Sequence, residues 1–101
     1  MKIGKILSLT ACSVIAASSL FAGSSTMNFA NVYEKECQGC HGPIHQGGVG
    51  SDLRPDALKK QERHVLRDAI MNGMQNTAMP KWDHMFSKDD ADGMVDWLMD
   101  W

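Results

Sequence analysis

The run Cys37-Gln38-Gly39-Cys40-His41 constrains this chain more than any other feature. Two cysteines separated by two residues and followed at once by histidine form the attachment pattern of a c-type haem. The spacing lets one short helical turn present both thiols to the two vinyl groups of a porphyrin. The adjoining histidine is then aimed at the iron as its proximal axial ligand. A fold built on this pattern must wrap a large planar group. Three plainer uses of the same residues stand beside that one. A thioredoxin-like redox pair needs a βαβ setting, and no strand pattern flanks the run. A zinc site would supply a second Cys/His pair at ligand spacing, and none follows. An exported chain can also close such a pair as a small disulfide.

Export is indicated at the other end. Met1-Lys2-Ile3-Gly4-Lys5 is a short basic start, and an apolar run rich in small residues extends from Ile6 to Phe21. Leu20-Phe21-Ala22 offers a cleavage site after Ala22, although Leu20 is bulky for the usual small-residue pattern. Residues 1–22 therefore read as a signal peptide and residues 23–101 as one domain, which places the protein in the periplasm. The apolar run is short and serine-rich for a membrane span, with an uncleaved N-terminal anchor as the alternative. Leu9-Thr10-Ala11-Cys12 superficially suggests a lipoprotein box, but the apolar stretch continues beyond Cys12, which is expected to leave with the signal.

A chain of the remaining size buries little apolar surface and needs a staple, a role that a covalent haem fills. With Cys12 removed, only Cys37 and Cys40 remain, and both are used, so no structural disulfide is expected. Processing also takes Lys2 and Lys5, leaving eight Lys/Arg against twelve Asp/Glu and a net charge of −4. That balance disfavours nucleic acid as a partner and suits a redox protein with a positive docking face.

The domain reads as all-α, with three to four helices wrapped round one covalently attached haem. Residues 28–36 place Phe29, Val32 and Tyr33 on one face and run straight into Cys37. Residues 41–55 hold Gly42-Pro43 and Gly47-Gly48-Val49-Gly50, too turn-rich for a continuous helix or strand. From about Gln61 to Asn72, Val65, Leu66, Ala69 and Ile70 form a helical stripe that Gly73 stops. A second loop covers residues 74–86. Ser87-Lys88-Asp89-Asp90 then resembles a capping box with aspartate at its third position. The final helix presents Ala91, Met94, Val95 and Leu98 as its buried stripe, flanked by Trp97 and Trp101.

The second loop is where the other axial ligand is expected. Met79 precedes Pro80, whose ring fixes its own φ and pushes Met79 into an extended conformation, stiffening the loop. A thioether favours ferrous iron and raises the potential relative to bis-histidine ligation. Methionine in a small α domain is also ordinary core filler, and eight are present. Met94 is better explained as core, and Met99 as peripheral. Met71, Met74 and Met85 compete near the haem, and His64 or His84 would supply imidazole in place of sulfur. His45, like His64 and His84, reads as a surface group.

Helix, C-x-x-C-H-G, glycine loop, helix, Met-Pro loop and final helix together resemble a class I cytochrome c over nearly all of residues 28–100. The resemblance implies the small cytochrome c fold, with the first and last helices crossing near the haem. A narrower likeness rests on Cys37-Gln-Gly-Cys-His-Gly, Gly47-Gly-Val-Gly50, Leu53-Arg-Pro55 and Ala78-Met-Pro-Lys-Trp82. These segments are similar to the cytochrome c domain of dihaem nitrite reductases (the haem c/haem d-one enzymes) and their associated small monohaem cytochromes. The chain departs from the wider family at one point. Many class I cytochromes carry proline two residues before the loop leucine, where its carbonyl accepts the proximal histidine's N–H. Here that position is Ser51. Its backbone carbonyl can do the same, orienting the imidazole and tuning its basicity. Trp82 and Arg54 are candidates for the haem propionates through their N–H groups, or for surface packing.

The resemblance implies an electron-transfer protein and no enzyme. Iron alternates between ferric and ferrous with both axial ligands bound, and nitrite reductase or an upstream quinol oxidoreductase is the kind of partner implied. Two other classes compete. A ligand-binding haem enzyme or sensor needs an open sixth position and a distal acid or base, which His64 or His84 would supply. A dedicated cytochrome subunit, or a factor in haem d-one maturation, would carry the same residues as a free shuttle.

Overall fold

The computed structural model describes residues 26–101. The proposed signal peptide, its cleavage site and Cys12 lie outside the described residues. Within them every regular element is helical, as the apolar periodicity predicts. No helix there is long and apolar enough to cross a membrane.

The first helical segment starts at α1 (Phe29–Val32), where the Asn28 side chain accepts the Asn31 N–H at 3.0 Å as an N-cap. It continues without a break through a wider turn at Tyr33–Cys37, where the Gln38 N–H reaches back five residues to the Tyr33 carbonyl. α2 (Gln38–His41) ends it at Gly42, whose φ of 91° only glycine adopts easily. Wide turns of this kind recur at functional sites. This one runs into the haem-attachment pattern, and both Tyr33 and Cys37 line the large cavity described below.

The sequence pattern predicts a loop over residues 41–55 and the next helix from about Gln61. The structure inserts one turn, α3 (Pro55–Leu58), with Pro55 in the first position, where a missing N–H costs nothing. Four residues are too few to show a helical period, and Leu58 is its one buried side chain. α4 (Arg63–Asn72) begins two residues later than the stripe suggests and stops at Gly73, as expected. α5 (Lys88–Met99) carries the complete capping box. Ser87 N–H donates to Asp90 Oδ2 at 3.1 Å, and Asp90 N–H to Ser87 Oγ at 3.0 Å. The aspartate substitutes for the usual glutamate.

α5 is the centre of the domain. Its buried side chains are Ala91, Met94, Val95 and Leu98, the stripe read from periodicity. With Tyr33, Leu58 and Phe86 they make up the buried apolar core. α4 packs along α5, and α1 crosses it. At that crossing an added Cβ on Gly93 would lie 2.5 Å from the Phe29 ring, so the two helices meet through a glycine. On the outer side, Arg63 pairs with Asp96 at 2.5 Å and Arg67 with Asp92 at 3.8 Å. The first pair is exposed and the second is long and only half-buried, so both add little to stability.

α4 has no fully buried residue, although its apolar stripe is clear. The reason is positional. Leu66 and Ile70 pack partly against the core on α5, and Val65, Leu66, Ala69 and Ile70 also border a cavity that leaves the rest of this face uncovered.

Candidate haem-binding site

Two adjoining cavities of about 370 and 300 Å³ form the candidate site. They share six lining residues: Cys37, His41, Ser51, Met74, Met79 and Trp82. The larger is walled by the apolar faces of α4 and α5, and the smaller opens past Cys40, Val49, Ala78 and Pro80. A chain of this size rarely leaves such an apolar space within its own core. It fits an apolar plate that the helices have to wrap.

His41 is held from two sides. Its Nδ1 lies 2.8 Å from the Ser51 carbonyl oxygen, so Nδ1–H donates and Nε2 keeps its lone pair for a metal. The serine carbonyl thus accepts this bond, as the sequence allowed. Gly50 lies against the same ring: a Cβ there would come within 2.7 Å of His41 Cε1 and 2.8 Å of Nδ1. The loop is tied back to the attachment segment by Gly47 N–H to the His41 carbonyl at 2.7 Å and Gly50 N–H to the Cys40 carbonyl at 2.8 Å. These observations fit an imidazole oriented for axial ligation.

The two cysteines are free and not bridged to each other, Cys37 half-buried and Cys40 exposed. Burial, then Glu36 and Cys40 nearby, pushes the Cys37 thiol up to about 11. A thiol redox centre requires the opposite, a lowered value. Among the described residues no group of three His, Cys, Asp or Glu side chains is placed to hold a metal ion, so the donor set does not fit zinc.

Met79 is half-buried and borders both cavities. Its loop is folded onto the end of α4. Met74 N–H donates to the Met79 carbonyl at 3.4 Å, Met79 N–H to Thr77 Oγ1 at 3.3 Å, and Trp82 N–H to the Ile70 carbonyl at 2.9 Å. Gly73 allows this approach, since a Cβ there would meet the Met79 carbonyl oxygen at 2.8 Å. Met74 also borders both cavities but is 48% exposed, which leaves it the weaker anchored of the two. Met85, His64 and His84 border neither. His64 sits exposed beside Glu62, and His84 stacks on Trp82. Trp82 borders both cavities, whereas Arg54 is turned to Asp52, with Nη2–Oδ2 at 2.7 Å.

One expectation is overturned. His45 is not a surface group: it is 2% exposed, enclosed by Tyr33, Trp97 and Trp101. Its backbone takes φ 64°, a left-handed conformation that a loop pattern in sequence does not announce. Tyr33 was legible as a helix-face residue but not in its other role. Its hydroxyl donates to the Gly42 carbonyl at 2.6 Å, and burial, then Cys37, pushes it up to about 12.

Residues 24–98 match the family described as cytochrome C oxidase, cbb3-type, subunit III. The chain belongs to that cytochrome c family. It is 35% identical over 69 residues to cytochrome c55X of Paracoccus denitrificans (strain Pd 1222), covering 68% of this chain and 67% of the relative. It is 38% identical over 66 residues to cytochrome c55X of Pseudomonas aeruginosa, covering 65% of this chain and 56% of that relative. It thus spans little more than half of the second relative's length. Among solved structures, c-type cytochrome NirC superposes with a TM-score of 0.68 at 35% identity, covering 71% of this chain and 85% of NirC. Dihydro-heme d1 dehydrogenase NirN gives 0.63 at 30% identity, covering 68% of this chain but 15% of NirN. The protein is accordingly a class I monohaem c-type cytochrome with the small all-α cytochrome c fold, and its cofactor is covalently bound haem c.

Proposed function

We propose that this chain is an exported electron carrier that passes single electrons between redox proteins in the periplasm. Cys37 and Cys40 form the thioether links, and His41 and Met79 are the axial ligands. Covalent haem c supplies a one-electron iron couple. The protein residues supply the rest. Ser51 and Gly50 fix the His41 ring, and the Thr77–Pro80 loop holds Met79 against the end of α4. The apolar faces of α4 and α5 exclude water. The observation that carries this reading is the His41 imidazole, fixed from both sides at a crevice that Met79 also borders. His64 and His84, the imidazoles that could serve as a distal acid or base, border neither cavity, which supports the carrier reading.

The likeness to NirC and to the 15% of NirN that it covers supports a place in denitrification, where we take nitrite reductase or an upstream quinol oxidoreductase as the partner. It equally favours a second reading, a dedicated cytochrome that serves one enzyme of haem d-one formation. Four measurements separate these readings from each other and from an enzyme or sensor. The ferrous protein of a shuttle binds carbon monoxide weakly, and its exchange with a positively charged partner slows as salt rises. Tight carbon monoxide binding or rapid peroxide turnover would overturn the carrier reading in favour of an enzyme or sensor. Slow exchange with every soluble donor, beside stable association with one periplasmic protein, selects the dedicated subunit.

A further inference from the structure

His45 sits four residues beyond His41, in the loop that carries Gly50 and Ser51. Its imidazole is enclosed by three rings. Trp101 stacks on it at 4.0 Å and 22°, Tyr33 lies at 4.3 Å, and Trp97 at 5.3 Å. Nδ1 is buried and has no hydrogen-bond partner. The backbone of the same residue joins the two halves of the loop: its N–H donates to the Gly42 carbonyl at 3.2 Å, and its carbonyl accepts the Leu53 N–H at 2.8 Å. Gly42 is also the acceptor of the Tyr33 hydroxyl. A non-glycine residue at φ 64° persists only where its surroundings hold it there. Here those surroundings are one ring from the first helical segment and two from the C-terminal end of the chain.

We propose that His45 is a positioning residue for His41: as a neutral imidazole in its aromatic cage it pins the Gly42–Leu53 loop, and so holds the Ser51 carbonyl on His41 Nδ1–H. The inference rests on His41 being the proximal ligand. A protonated His45 would bury an Nδ1–H with no acceptor. The groups facing it are Tyr33, which stays protonated, and His41, whose Nδ1–H is donated to Ser51; Trp97 and Trp101 carry no charge. Burial holds His45 below its ordinary value of 6.5. The aromatic faces attract a cation, but they give the buried Nδ1–H no acceptor. Protonation therefore expels the ring, frees the loop and weakens the Ser51–His41 bond. A less polarised imidazole stabilises ferric iron less, so the reduction potential rises as the solution is acidified.

The test uses the haem-loaded protein and follows two quantities against pH: the reduction potential, and the exchange rate of the hyperfine-shifted His41 Nδ1–H. In wild type both are flat near neutrality and both rise on acidification through one midpoint below 6.5. His45→Phe fills the cage without titrating and abolishes both rises. Trp101→Ala opens the cage from outside and moves the midpoint upward. His45→Ala frees the loop at all pH values and speeds Nδ1–H exchange by about tenfold, the share of one hydrogen bond. A potential that rises while Nδ1–H exchange stays flat would be a plain charge effect and would overturn the positioning role. So would a His45→Phe protein that titrates like wild type. If no variant, wild type included, shows a hyperfine-shifted imidazole, His41 ligation itself is wrong and the proposal falls with it.

Discussion

Gly93→Ala places one methyl group where α1 and α5 cross. Its Cβ would lie 2.5 Å from Phe29 Cζ and 3.1 Å from Cε2, whereas carbon atoms in contact sit about 3.5–4.0 Å apart. The ring must therefore retreat by about 1 Å. It opens the helical segment that ends in Cys37, Cys40 and His41, so it cannot retreat without moving the haem-bearing helix or leaving its rotamer. Overpacking of this kind costs about 1–3 kcal/mol. Alanine over glycine inside a helix returns roughly 1 kcal/mol. The balance is a loss of about 1 kcal/mol, which in a domain of this size lowers Tm by about 4–8 °C. Thermal unfolding of the ferric haem-loaded protein, followed by far-UV circular dichroism, measures it. Phe29→Leu shortens the opposing side chain, so the double variant should recover part of the loss, and the cycle reports the coupling directly. If Gly93→Ala raises Tm, helix propensity has won and the crossing is not the tight contact described.

Four further outcomes follow from the site. Cys37→Ala or Cys40→Ala should weaken or abolish the colour that survives denaturing electrophoresis, and haem that extracts fully from wild type into acidic acetone would refute covalent attachment. Met79→Ala should remove the long-wavelength thioether charge-transfer band of the ferric form and open the iron to added ligands, while Met74→Ala should leave the band. A spectrum altered by His64→Ala or His84→Ala instead would show the ligand assignment to be wrong. Gly50→Ala should press on the His41 ring, costing about 1–3 kcal/mol of stability and shifting the potential upward as the Ser51 bond strains, with an unchanged potential counting against that bond. Hydrogen bonding and charge from Arg54 hold the Asp52 carboxyl down to about 2 from an ordinary 3.8. The stability it contributes is therefore full above about 3.8 and fades as pH falls toward 2. Asp52→Asn should flatten that part of the acid-unfolding curve, slightly, because the pair is exposed.

How much was legible in the sequence depends on the range of the interactions concerned. The α5 stripe and its capping box were legible because both are local: periodicity and a three-residue side-chain exchange need no other part of the chain. The haem pattern is local too, whereas Ser51 as acceptor was open in the sequence, suggested only by the resemblance to class I cytochromes, and it is the structure that places its carbonyl on His41. What escaped depends on contacts far apart in sequence. His45 has no periodic neighbours, and the rings packed on it are Tyr33 on one side and Trp97 and Trp101 at the far end. Phe86, buried at 3%, sits in what reads as loop. α4 shows the converse. Its stripe was read correctly as an apolar face, yet no residue on it is fully buried by protein alone. Leu66 and Ile70 pack partly against the core on α5, and the rest of this apolar face borders the cavity, so the cofactor completes its burial. The apolar pattern of α4 and the Cys-x-x-Cys-His pattern are therefore two independent demands for the same haem.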